Sequence, residues 1–150
     1  MTTYTRILYQ IVFGSKRRLR FFTEDNQNAL FNYVAGIAKN KKCYSYKIGG
    51  DSNHLHLLVD LYKMQNLAGF VQEIKKGSNA WLRENRSTYP DFQGWQDGYS
   101  AFTYEMSALK VLKEYIENQN EHHRIVTFRE EYIKLLKEHG IEFDEKYLFD

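Results

Sequence analysis

Several things are scarce in this chain. It has one cysteine and one proline in 150 residues. A single Cys43 excludes an internal disulfide and a cysteine-rich zinc site. No apolar run approaches membrane-spanning length, and Met-Thr-Thr-Tyr-Thr-Arg at the start lacks the apolar stretch of a signal peptide. A cytoplasmic protein with no membrane partner is therefore expected. A surplus of one charge sign is missing too: the net charge is +2, so overall electrostatics does not announce a nucleic-acid binder, and local clusters must carry that case. Internal repeats and low-complexity segments are absent. What is present is 43% hydrophobic and 27% charged residues over 150 positions, the composition and length of one soluble domain, 1–150, able to bury a core. Aromatics are abundant at 16%, with 12 Tyr and 10 Phe, enough to fill a core or to stack bases.

The most informative stretch reads Asn53-His-Leu-His-Leu-Leu-Val-Asp-Leu61. In an extended strand, side chains alternate between faces, so Leu55, Leu57, Val59 and Leu61 form one oily face. His54 and His56 stand side by side on the other. Such a pair can ligate a metal, or can simply hydrogen-bond within a half-buried strand.

Around it, Ile7 to Phe13 reads as a strand, followed by the basic turn Gly14-Ser-Lys-Arg-Arg-Leu-Arg20. Thr23 is placed to cap a helix through Lys39, with Leu30, Tyr33, Val34 and Ile37 as its apolar stripe. Cys43 to Ile48 is a second strand, Gly49 to Asn53 a turn, and His54 to Leu61 the third strand. A helix of roughly five turns presents Leu67, Phe70, Val71, Ile74, Trp81 and Leu82 on one side. A looser stretch from Glu84 to Gly98 holds Pro90, and Tyr99 to Tyr104 is a fourth strand. Ser107 caps a helix expected to run to about Arg124, and Thr127 with Glu130 has capping-box spacing for a last helix that Gly140 stops. The order β-α-β-β-α-β plus two helices indicates an α+β, ferredoxin-like antiparallel sheet. The Ser107–Arg124 helix is the element expected to cover the histidine face.

That helix contains Glu114-Tyr-Ile-Glu-Asn-Gln-Asn-Glu-His-His-Arg124. Tyr115, Gln119 and His122 are spaced four and then three apart, so they share one stripe. Leu109, Leu112 and Ile116 form an adjoining apolar stripe able to dock the helix.

His-Leu-His on a strand, followed by Tyr-Ile-x-Asn-Gln-x-x-His-His on a later helix, resembles the single-tyrosine HUH transposases of small bacterial insertion sequences. These are the TnpA-like enzymes and the REP-associated tyrosine transposases. Val12-Phe13-x-x-Lys16, Lys76-Gly77-Ser78 and Trp95-Gln96-x-Gly98-Tyr99-x-Ala101-Phe102 are similar to that family as well, and the likeness runs from about Tyr4 to Tyr147. The resemblance implies cleavage and rejoining of single-stranded DNA at hairpin ends of an element, through a 5′-phosphotyrosine. It implies Tyr115 as nucleophile, and His54, His56 and Gln119 as ligands of one Mg²⁺ or Mn²⁺. It also implies a homodimer, with the tyrosine helix serving its own or the partner's histidine pair.

Free tyrosine, with a pKa of about 10, needs help to attack at neutral pH, and a Lewis acid on the phosphate supplies it. Lys16, Arg17, Arg18 and Arg20 are the densest basic cluster and, with Lys75 and Lys76, the candidate DNA-backbone contacts. Trp95 can stack a base or cap the core. His122 and His123 can support the ligands, touch phosphate or face solvent, and Asp60 and Glu73 can lie near the histidine face. The competing reading is a non-catalytic nucleic-acid-binding module of the same fold. Another His-x-His enzyme, such as a nucleotide hydrolase or cyclic phosphodiesterase, needs a third His or a second His-containing motif in register with the first, and the remaining histidines fall in stretches that read as helices.

Overall fold

The computed structural model describes residues 1–149. Four strands form one sheet: β1 Leu8–Gly14, β2 Tyr44–Asp51, β3 His54–Asp60 and β4 Ser100–Tyr104. Their order is β2-β3-β1-β4, and every neighbouring pair is antiparallel. Helices α1 (Gln27–Asn40) and α2 (Leu67–Glu84) connect β1 to β2 and β3 to β4, as the ferredoxin-like reading requires. Three helices follow β4: α3 (Leu109–Glu117), α4 (Gln119–His122) and α5 (Phe128–Glu138).

The alternation along β1 and β3 sorts their residues to two faces. Ile11, Phe13, Leu55, Leu57 and Val59 are buried against Leu30 and Val34 of α1 and Phe70, Ile74 and Leu82 of α2. Fully burying such side chains contributes about 1.5–3 kcal/mol each, which makes this the main core. The opposite face carries Leu8, Gln10, Val12, His54, His56 and Leu58. There Leu112 and Ile116 of α3 cover Leu8 and Leu58, while Phe128, Tyr132, Leu135 and Leu136 of α5 cover Val12 and Phe102. The histidine face is thus roofed by α3 and α5 together, not by α3 alone.

Three boundaries differ from expectation. Gly49, Gly50 and Asp51 continue β2 and pair with His56, Leu55 and His54, so the turn shrinks to Ser52 and Asn53. Gly49 stays in the strand because α3 lies directly upon it: a Cβ there would meet the Ile116 carbonyl oxygen at 2.5 Å. The first helix starts at Gln27, not after Thr23, because Asn26 Oδ1 accepts the Thr23 N–H and holds residues 23–26 as a turn. The helix expected to reach Arg124 begins with a 3₁₀ turn at Met106–Ala108 and breaks at Asn118 (φ −95°, ψ 20°). The last helix begins as read: Thr127 and Glu130 form a complete capping box, and Gly140 follows with φ +67°.

Candidate active site

Each side chain of the site is placed by a local feature of the fold. His54 and His56 project from β3 opposite Gly14 and Val12 of β1. Gly14 leaves room for Phe128, whose ring stacks on His54 at 4.1 Å and 3°. Both histidines are fully buried. Each is pinned by an amide oxygen on its outer nitrogen. His54 Nδ1 donates to Asn53 Oδ1 at 2.9 Å, and the Asn53 amide nitrogen is committed to the Arg18 carbonyl. His56 Nδ1 donates to Gln10 Oε1 at 2.7 Å, and Gln10 Nε2 donates to the Tyr104 hydroxyl. Fixing the outer nitrogen in this way orients a ring whose inner Nε2 is used for ligation.

Both inner nitrogens point at the same place. His54 Nε2 lies 3.0 Å from Gln119 Oε1 and 3.4 Å from Glu131 Oε1. His56 Nε2 lies 3.0 Å from Glu131 Oε1. His123 Nε2 reaches Gln119 Oε1 at 2.9 Å and Glu131 Oε1 at 3.1 Å. Gln119 Nε2 donates to Glu131 Oε2 at 3.0 Å, which turns its oxygen towards the histidines. The Tyr115 hydroxyl donates to Glu131 Oε2. His122 Nε2 stands 3.4 Å from the same oxygen.

Burial holds His54 neutral, its pKa lowered to about 4, so its Nε2 bears a lone pair. That lone pair faces two oxygen acceptors. His56 Nε2 meets the Glu131 carboxylate. The Glu131 carboxyl lies well below the usual carboxylate range: burial opposes its charge, but the His56 imidazole and the hydrogen bond from His123 outweigh that. Burial, and then the negative Glu131 beside it, push the Tyr115 phenol above its ordinary value. Imidazole nitrogens, an amide oxygen and a carboxylate oxygen converging on one point suit a divalent cation. The ligand atoms of His54, His123 and Glu131 lie within 4.8 Å of one another, the spacing of a shared ion.

Tyr115, His54, His56 and Gln119, picked from motif spacing, are therefore brought together within one chain, and His122 and His123 join them. Two openings lead in. A cleft of about 320 Å³ between α3 and α5 exposes Tyr115 beside Leu112, Tyr104 and Leu135. A smaller cavity of about 140 Å³ is lined by Arg18, Arg20, Arg129 and His123. Lys16, Arg17, Arg18 and Arg20 are exposed beside this end of β1; Arg17 bonds Gln93, and the Arg18 guanidinium lies 4.3 Å from the Phe149 ring centre. Lys75 and Lys76 sit on α2, across the sheet from the site. Lys75 Nζ donates to the Gln96, Asp97 and Gly98 carbonyls.

Asp60 and Glu73 are elsewhere, bonded to the Ile7 N–H and to Lys41. Trp95 is buried edge-on to Phe13 and donates to Ser78, so it caps the core. Tyr132 and Tyr104 are packed and bonded to Ser100 and Gln10.

Sequence reasoning missed Glu131 and Gln10. Each carries a signal in retrospect. Glu131 falls on the apolar stripe of α5, three residues after Phe128 and four before Leu135, where a carboxylate is out of place. Gln10 interrupts the inward alternation Leu8, Val12 on β1.

The family model described as "Transposase IS200 like" matches residues 3–119. The chain belongs to that transposase family. As an IS200-like transposase it is a DNA-cleaving enzyme by class. A structure titled as a putative transposase from Deinococcus radiodurans R1 superposes with a TM-score of 0.60 at 19% identity, covering 80% of this chain and 95% of that one. A REP-associated tyrosine transposase bound to a REP hairpin superposes with a TM-score of 0.57 at 14% identity, covering 100% and 93%. At such identities the likeness establishes the shared fold. No curated protein matches the sequence. Among the described residues, no helix is long and apolar enough to cross a membrane.

Proposed function

We propose that this IS200-like transposase acts as a single domain, 1–150. It cuts and rejoins single-stranded DNA at hairpin-bearing element ends, with Tyr115 as nucleophile. The observation that carries the reading is the convergence of the Tyr115 hydroxyl, the Gln119 amide and two strand imidazoles on one buried point. His54, His56 and Gln119 would hold a single Mg²⁺ or Mn²⁺. When bound, such an ion polarises the scissile phosphate and neutralises its developing charge. Tyr115 Oη forms a bond to phosphorus as the bond to the 3′ oxygen breaks. The hydroxyl proton passes by way of Glu131 Oε2, which it already touches, to solvent, and the departing 3′ oxygen takes a proton from solvent to leave as a 3′-hydroxyl. The phosphotyrosine keeps the energy of the diester, so rejoining needs no nucleotide.

Arg18 and Arg20, at the mouth of the small cavity, would guide the strand, with Lys16 and Arg17 beside them. Lys75 and Lys76 lie on the far face, where Lys76 would touch DNA wrapping round the molecule and Lys75 would act through the carbonyls it clamps. Hairpin-bearing DNA is the proposed partner, supported by the hairpin held by one structural neighbour. The working form is a cytoplasmic homodimer in which the tyrosine helix serves its own or the partner's histidine pair.

The test is to incubate the protein with single-stranded hairpin ends from the DNA flanking its gene, with Mn²⁺ or with EDTA. Cleavage with Mn²⁺, its loss in EDTA and its loss in Tyr115→Phe with binding retained are the expected results. Binding without cleavage at every end would leave a non-catalytic DNA-binding module.

A further inference from the structure

We infer that Glu131 is an additional ligand of the ion and, through its second oxygen, the group that positions the Tyr115 hydroxyl; this rests on the reading above that an ion binds between His54 and His56. The stretch that matches the family ends at residue 119, so α5 and Glu131 lie beyond it. Glu131 is 2% exposed. A carboxylate taken out of water needs a counter-charge. Among the described residues its ionic partners are histidines alone: His54, His56, His122 and His123.

The two oxygens have different neighbours. Oε1 faces the inner nitrogens of His54, His56 and His123 at 3.4, 3.0 and 3.1 Å. Oε2 takes the Tyr115 hydroxyl and the Gln119 amide. One oxygen is therefore set among the ligands and the other on the nucleophile. The carboxylate links the two, and would hold the phenol beside a bound ion. The ligand set would be three neutral groups and one anion, which halves the net charge of a divalent cation while keeping it positive towards phosphate. The capping box at Thr127 and Glu130 fixes the first turn of α5, which delivers Glu131 to this position.

Mn²⁺ binding separates the inference from the reading beneath it. Metal-free protein is titrated with Mn²⁺, and free ion is read by electron paramagnetic resonance, for wild type, Glu131→Gln, Glu131→Asp and His54→Ala. Far-ultraviolet circular dichroism in EDTA checks folding. The expected result is a loss of affinity of roughly 10–100-fold in Glu131→Gln, the scale seen when groups supporting a metal site are removed. Glu131→Asp, which keeps the charge but shortens the arm, should lose less. If His54→Ala loses Mn²⁺ while both Glu131 variants bind within about twofold of wild type, Glu131 is not a ligand although the site stands. If wild type binds no Mn²⁺, or His54→Ala binds as wild type does, the underlying reading falls. Glu131→Asp decides the matter should Glu131→Gln fail to fold.

Discussion

Gly49→Ala is a one-carbon perturbation whose effect can be worked out from the packing. A Cβ at Gly49 would sit 2.5 Å from the Ile116 carbonyl oxygen and 2.7 Å from its Cγ2, where ordinary contact begins at 3.4 Å. The shortfall, 3.4 minus 2.5, is about 0.9 Å, and the obstacle is helix backbone, so α3 must withdraw as a body. Overpacking of this kind costs about 1–3 kcal/mol. Ile116 adjoins Tyr115, so the same movement carries the phenol away from His56 and Glu131. A misplacement near 1 Å lowers a reaction that depends on alignment by roughly 100-fold. Gly36→Ala serves as the control: a Cβ there meets nothing within 4 Å, so this mid-helix change should stabilise by about 0.5–1 kcal/mol and leave activity alone. Urea unfolding and the rate of covalent adduct formation read the two consequences separately. A Gly49→Ala protein with unchanged stability and an adduct rate within twofold of wild type would refute the docking of α3 described above.

Other expectations follow from single features. In metal-free protein kept in EDTA, stability should fall as pH drops from about 6.5 to about 4, because burial lowers the His54 pKa to about 4 and protons bind the unfolded chain first. The limit for that one group is about 3 kcal/mol, at roughly 1.4 kcal/mol per unit, and a urea midpoint equal at pH 7 and 4.5 would contradict it. Thr127→Ala removes half of a capping box and should cost about 0.5–2 kcal/mol in thermal unfolding; no loss would mean that the box does not hold α5. Arg18→Ala and Arg20→Ala should each flatten the log–log salt dependence of single-strand binding by about 0.7, whereas an unchanged slope would remove them from the DNA path.

The fold was legible where one residue pattern had one structural solution. Leu55, Leu57 and Val59 alternate with the histidines, and only a strand buried on one face by helices satisfies that pattern. Thr127 with Glu130 announced the last helix for a similar reason. The Asn118 break was not legible, since the flanking residues keep helical spacing and asparagine occurs both within helices and at their ends. Half of the site was visible in the same sense: Tyr115 and Gln119 are four apart, and the strand pair is adjacent. Glu131 was hidden because a glutamate in a helix is ordinarily a solvated surface residue. Only the packing of α5 onto Val12 and Phe102 turns it inwards. Lys75 has the reverse history, a surface-type residue in sequence that the fold folds onto three carbonyls.

The most direct measurement is to locate the DNA on the protein. Wild-type chain is reacted with Mn²⁺ and a single-stranded hairpin end, digested, and the nucleotide-bearing peptide sequenced by mass spectrometry. A 5′-phosphate ester on Tyr115 is the predicted result. The ester on any other of the 12 tyrosines would contradict the account.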